Sequence, residues 1–147
     1  MKRVLLCAVA ALLSFTSPSL ATDLVIWHDK GDAGIKIFKE IGDLYHKVDP
    51  DVTVKSQSFP TDQWFARSTA GLQTGTGPDL LFNDNYRLAK LQQITGKLRS
   101  VKADFDAIPA DLRSSLTATD VRAAQYNGQM LMIPIQRSLA GLGIRKS

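Results

Sequence analysis

Leu72-Gln73-Thr74-Gly75-Thr76-Gly77-Pro78-Asp79-Leu80-Leu81-Phe82-Asn83 is the stretch whose reading decides the fold. Its first residues end a helix, and Gly75-Thr76-Gly77-Pro78 cannot continue one. Asp79 to Phe82 then reads as a short buried strand whose far end carries polar groups. Leu24-Val25-Ile26-Trp27 is a second apolar run of the same kind, expected to be buried on both faces.

The residues between these two runs supply helices. His28 to Gly34 is polar and glycine-containing, and Asp32 is placed to cap the helix that follows. Ile37, Ile41, Leu44 and Val48 recur at three- and four-residue spacing, flanked by Phe38 and Tyr45, until Asp49-Pro50 ends the helix. Val52 to Ser56 alternates as a strand does. Pro60 with Thr61 or Asp62 opens a second helix carrying Trp64, Phe65 and Leu72. Asp84 is placed to cap a third, with Leu88, Leu91 and Ile94 inward and Gly96 as its stop. This β-α-β-α-β-α order predicts an α/β fold, a parallel sheet with helices packed on it. Further on, Asp104 to Leu116 reads as one or two short helical pieces. Val121–Gln125 and Met130–Ile133 flank Asn127-Gly128, a two-residue hairpin turn.

The first 21 residues stand apart. Lys2 and Arg3, an apolar run from Val4 to Phe15, and Ser19-Leu20-Ala21 follow the order of a cleaved secretory leader. The run is too short to span a bilayer. Cleavage after Ala21 would remove Cys7, the one cysteine, and so any disulfide or thiol chemistry. The net charge of +4 includes Lys2 and Arg3, so the mature chain stands near neutrality. Its Lys and Arg are scattered, which argues against a nucleic-acid surface.

In an open α/β sheet ligands collect beyond the carboxyl ends of the strands. That rule selects His28, Asp29, Lys30 and Asp32 after the first strand, and Asn83, Asp84, Asn85, Tyr86 and Arg87 after the third, on one edge of the sheet. Carboxylates that accept and cations that donate suit a neutral, hydroxyl-rich ligand. The faces of Trp64 or Tyr86 could stack on a sugar ring, although Trp64 sits equally well in a core. His28 and His46 have no spacing for a metal, and no cofactor is called for. Gly75-Thr76-Gly77 runs from helix to strand, the wrong order for a dinucleotide loop. Ser114, Ser115 and Ser138 lack a nucleophile-elbow setting. No residue pattern supports an enzyme.

The ordered set resembles the family 1 extracellular solute-binding proteins, and within them the maltodextrin-binding branch. It comprises Leu24–Trp27 with Asp29-Lys30-Gly31, then Gly75–Phe82, then Arg87. Tyr126-Asn127-Gly128-Gln129 leads on to Ile133-Pro134-Ile135. The resemblance implies the two-lobe, class II periplasmic-binding-protein fold, with most of the first lobe and the first crossing present. Residues 1–21 would be the leader, 22–134 the incomplete first lobe, and 135–147 the hinge crossing and the start of the second lobe. It implies a monomeric periplasmic component of an ABC importer that closes on a sugar and delivers it to membrane permease subunits. Asp29, Lys30 and Arg87 would hydrogen-bond sugar hydroxyls, with Asp62 and Gln63 as further cleft residues. Asn83 stands where the maltodextrin binders have a stacking tryptophan, and Tyr86 where they have an aspartate, which puts maltose itself in question. A polyol or glycerol phosphate is an alternative solute, and a truncated product with no transport role a further reading.

Members of that family run to well over twice this length. The expectation is therefore a fragment with unpaired sheet edges and exposed apolar faces, marginal in stability and a weak sugar binder by itself.

Overall fold

A computed structural model describes residues 22–135. The leader, Ser138 and the greater part of the expected hinge crossing lie outside the described residues. Three parallel strands form the main sheet: β1 (Thr22–His28), β2 (Val52–Ser58) and β3 (Leu80–Leu81), in the order β2-β1-β3. Helices α1 (Gly31–Tyr45), α2 (Thr61–Thr74) and α3 (Asn85–Thr95) follow them in turn. The path from β1 to β2 steps one way across the sheet, and the path from β2 to β3 steps back past β1. With right-handed crossovers, α1 and α2 must therefore cover opposite faces.

Side chains follow that division. His28 of β1 packs on Phe38 of α1 with ring centroids 5.0 Å apart. Trp27, pointing the other way, joins a core of Phe59, Trp64, Leu88 and Leu91, with Phe65, Leu72, Leu81, Leu98 and Met132 around it. Gly75 and Gly96 end α2 and α3 at φ of 75° and 62°, left-handed conformations that glycine adopts without strain.

Four expectations for the sheet and its first three helices are corrected. The face of α1 that meets the sheet is Gly34-Phe38-Gly42, while Ile37, Ile41, Leu44 and Val48 stay exposed, Val48 at 81%. The cause is closeness: a Cβ on Gly42 would lie 2.8 Å from the Val54 Cβ, and one on Gly34 would lie 2.7 Å from the His28 ring. Asp32 does not cap α1, which begins at Gly31 after Lys30, so Asp32 falls inside the first turn. Strand β3 is two residues long, with Leu80 half exposed, because the Asp79 carboxylate accepts the Val25 amide at 2.8 Å where a ladder bond would otherwise form. Ile94 is likewise 48% exposed, and Leu88 and Leu91 carry the inner face of α3.

Beyond α3 come α4 (Lys102–Ala107) and α5 (Ala110–Arg113), the two short pieces expected. Val121 to Ala123, read as strand, belongs to α6 (Ala118–Ala123). A capping box decides this: Thr117 accepts from the Asp120 amide and the Asp120 carboxylate accepts the Thr117 amide. The hairpin shrinks to β4 (Gln125–Tyr126) and β5 (Gln129–Met130) around Asn127-Gly128, both at positive φ, as a type I′ turn requires. Phe105, Ala124 and Met130 form a second small core under this region.

Candidate functional site

Strand order places the site. The helix after β1 goes to one face and the helix after β3 to the other, so a crevice opens between the ends of these two neighbours. Asp29 leaves the end of β1 into that crevice and Arg87 enters it from the first turn of α3. The Arg87 Nη1 donates to Asp29 Oδ2 at 2.7 Å, and Lys30 Nζ pairs with Asp29 Oδ1 at 3.1 Å. Arg87 Nη1 also donates to Asn83 Oδ1 at 3.1 Å, and its Nε donates to the Tyr86 hydroxyl at 2.7 Å. The Thr61 hydroxyl, at the start of α2, donates to Asp29 at 3.3 Å.

The Asp29 side chain is only 4% exposed. Burial pushes its carboxyl up, but the Lys30 ammonium, with the Arg87 guanidinium beside it, outweighs that and holds it below the usual carboxylate range. Burial likewise works against the Arg87 charge, and the Tyr86 hydroxyl and Asp29 more than compensate, raising its pKa. Both groups are thus ionised over the whole working range of pH. The turn that carries Asp29 is tied down by two backbone amides: Lys30 N donates to His28 Nδ1 at 3.1 Å, and Gly31 N donates to the Ser58 hydroxyl at 2.9 Å. Gly31 at φ 58° allows the chain to turn directly from strand into helix.

Beside this cluster the amino-terminal turns of α2 and α3 enclose an open groove of about 540 Å³, lined by Thr61, Asp62, Phe65, Tyr86, Arg87 and Lys90. Lys90 lies over the Phe65 ring at 5.4 Å, and the Arg87 guanidinium lies 5.4 Å from the Tyr86 ring centre. The groove offers an exposed carboxylate at Asp62, exposed ammonium and phenol groups, and the aromatic surface of Tyr86, itself 59% exposed.

The structure brings together Asp29, Lys30, Asn83, Tyr86 and Arg87, with Asp62 alongside. Gln63 is exposed but does not line the groove. Trp64 is corrected: it is fully buried in the core between α2 and α3 and presents no face for stacking. Thr61, Phe65 and Lys90 were missed. Their signal was the spacing of Thr61 and Phe65, and of Tyr86 and Lys90, each pair four apart on one helical face. His46 bonds the Val52 carbonyl at 3.0 Å, away from His28, and no group of three metal-capable side chains occurs among the described residues.

Comparison with known proteins identifies the fold. No protein-family model matches the sequence, and no curated protein matches it. Solved structures do match. The extracellular solute-binding protein from Staphylococcus aureus in complex with maltose is 21% identical, with a TM-score of 0.61 over 76% of this chain and 28% of that one. The cyclic α-maltosyl-1,6-maltose binding protein from Arthrobacter globiformis is 18% identical, with a TM-score of 0.61 over 74% and 27%. A de novo designed esterase is 19% identical, with a TM-score of 0.65 over 79% and 28%. The fold is that of part of the first lobe of the family 1 extracellular solute-binding proteins, and the chain spans just over a quarter of the length of these structures. That a designed esterase shares it shows why the site, and not the fold, must carry the function. No helix among the described residues is long and apolar enough to cross a membrane.

Proposed function

We propose that this chain supplies the first-lobe wall of the ligand cleft in a periplasmic sugar-binding component of an ABC importer. The observation that carries the reading is the Asp29-Lys30-Arg87 cluster, fixed at the β1/β3 switch point beside an open groove. Its ion pairs hold each side chain in one geometry, so hydroxyls meet donors and acceptors already oriented. Asp62 accepts, Lys90 and Arg87 donate from the groove lining and Lys30 from the cluster beside it, and Tyr86 gives the apolar face of a sugar ring a platform. Maltose-like oligosaccharides are the first ligands to try, and the binding of such sugars by the two solute-binding neighbours supports that choice. Residues 22–134 are the lobe segment and 135–147 the crossing toward the second lobe, whose groups would meet the ligand from the other side when the cleft closes. Residues 1–21 direct export and are removed. Permease subunits receive the closed, monomeric complex.

Lys90 favours a second reading. With Arg87 it places two cations in the groove lining, and Lys30 is paired to Asp29 in the adjoining cluster, a set that would also receive glycerol phosphate or a polyol bearing an anionic group. Thermal stabilisation across a panel of oligosaccharides, polyols and glycerol phosphate separates the two. Stabilisation by oligosaccharides that is lost in Asp29→Ala supports the first. Stabilisation by glycerol phosphate alone supports the second, and an unchanged melting temperature with every compound contradicts both.

A further inference from the structure

His28 is fully buried, bears no charge partner of its own, and is absent from the groove lining. Its position is nevertheless specific. Its carbonyl accepts the Phe59 amide at 2.9 Å, its ring lies against Phe38, and α1 approaches so closely at Gly34 that a methyl there would strike the imidazole. In this slot Nδ1 accepts the amide of Lys30, two residues further on, at 3.1 Å. An accepting Nδ1 fixes the tautomer: the proton is on Nε2, which is buried and has no hydrogen-bond partner. A purely structural side chain at this position would gain nothing from an orphaned donor, which costs stability. What the imidazole gains is the Lys30 amide, and with it the turn that aims Asp29 at Arg87.

We propose that His28 is a positioning residue for the groove: its neutral ring holds the Asp29–Lys30 turn through Nδ1, and protonation at Nδ1 releases that turn. Protonation replaces an acceptor by an N–H facing the Lys30 N–H, so the bond is lost and repulsion takes its place. The groups around the ring set the balance. On its own loop Asp29 favours the imidazolium and Lys30 opposes it. Helix α1 presents Gly34 and Phe38, which carry no charge, and β2 places neutral Ser58 beside His28 in the ladder. Beyond Phe38 lies Phe82, also uncharged, and Arg87 of α3 reaches Asp29. Burial dominates and lowers the imidazole pKa from 6.5, with the Asp29 charge opposing it and Lys30 adding to it. The turn is therefore held at neutral pH and released in acid. An asparagine could accept the same amide two residues on without titrating, which makes His28→Asn the informative variant.

The link from turn to ligand rests on the proposed sugar-binding role, whereas the holding of the turn does not. The test is an NMR titration of the full, ligand-free chain from neutral to acid pH, following the His28 ring nitrogens and the Lys30 amide. The expected result is an Nε2-protonated ring at neutral pH, and a Lys30 amide that moves upfield with the same midpoint as His28, below 6.5. In His28→Asn the Lys30 amide should keep its downfield position across that range. With maltotriose as probe, affinity should fall roughly fivefold across the midpoint, the worth of about one hydrogen bond, and stay flat in the variant. A Lys30 amide indifferent to the His28 titration, or a ring protonated on Nδ1 at neutral pH, overturns the proposal. If the amide follows His28 but maltotriose fails to bind at any pH, the positioning role stands and the sugar reading falls. Both ring readings come from the unsubstituted chain, so they hold even if the variant fails to fold.

Discussion

The two faces of the main sheet are built differently. On the face covered by α2 and α3, aromatic and leucine side chains interlock, and Trp64 and Leu91 lose all contact with solvent. On the face covered by α1, contact is made through two glycines and one phenylalanine, and the aliphatic stripe of Ile37, Ile41, Leu44 and Val48 is left in water. The first face gains stability from buried area and the second from closeness of backbone. The candidate site lies where they meet: His28 and the Asp29 turn belong to the α1 side, Arg87 and the groove to the α2–α3 side.

The largest test of this contrast is Trp64→Ala. It should cost about 3–5 kcal/mol, read from urea unfolding, because a fully buried indole leaves a cavity. A loss under about 1 kcal/mol would mean that this face is not the main core. Gly42→Ala comes next. Helix propensity by itself favours alanine by about 1 kcal/mol, but the new methyl would press on Val54. A net loss of about 1–3 kcal/mol is expected by the same assay, whereas a gain would show that α1 stands off from β2.

Acid should weaken the meeting point of the two faces. His28 is neutral in the fold with a lowered pKa, so the unfolded chain binds more protons and stability falls as pH drops below 6.5. Asp29 has a lowered carboxyl pKa, so its contribution is present above 3.8 and lost as pH falls through its folded value. Both act in the same direction, and unfolding curves taken at stepped pH should show the His28 loss first. The smallest effect is expected at Ile41→Lys, within about 0.5 kcal/mol of the parent, together with reduced self-association in sedimentation. A loss as large as that of Trp64→Ala would show that something covers the α1 stripe in solution.

The contrast also explains what could be read from sequence. The α2–α3 face was legible because its helices mark their ends with Pro60, Gly75 and Gly96 and carry large side chains at the inward positions. The α1 face misled because hydrophobic periodicity gives glycine no weight, so the Ile37-Ile41-Leu44-Val48 stripe concealed the Gly34-Phe38-Gly42 line beside it. Asp79 appeared as part of a strand, since nothing local shows that its carboxylate takes the Val25 amide 54 residues away. Asp29, Lys30 and Arg87 were among the residues that the strand-end rule selects and were singled out by the family resemblance; the fold brings the three side chains together. Trp64 could not be settled that way, because a tryptophan on an apolar stripe suits a core and a cleft equally. Thr61, Phe65 and Lys90 became visible only when the first turns of α2 and α3 were seen to converge.

A sugar in the crevice between β1 and β3 would perturb the residues that line it. The decisive experiment is to map amide shifts of the full chain during titration with maltotriose. Binding there predicts saturable shifts at residues 29–31, 61–65 and 83–90, absent in Arg87→Ala, with little change along the rest of α1. Shifts confined to other surfaces, or none at the highest sugar concentration, would contradict it.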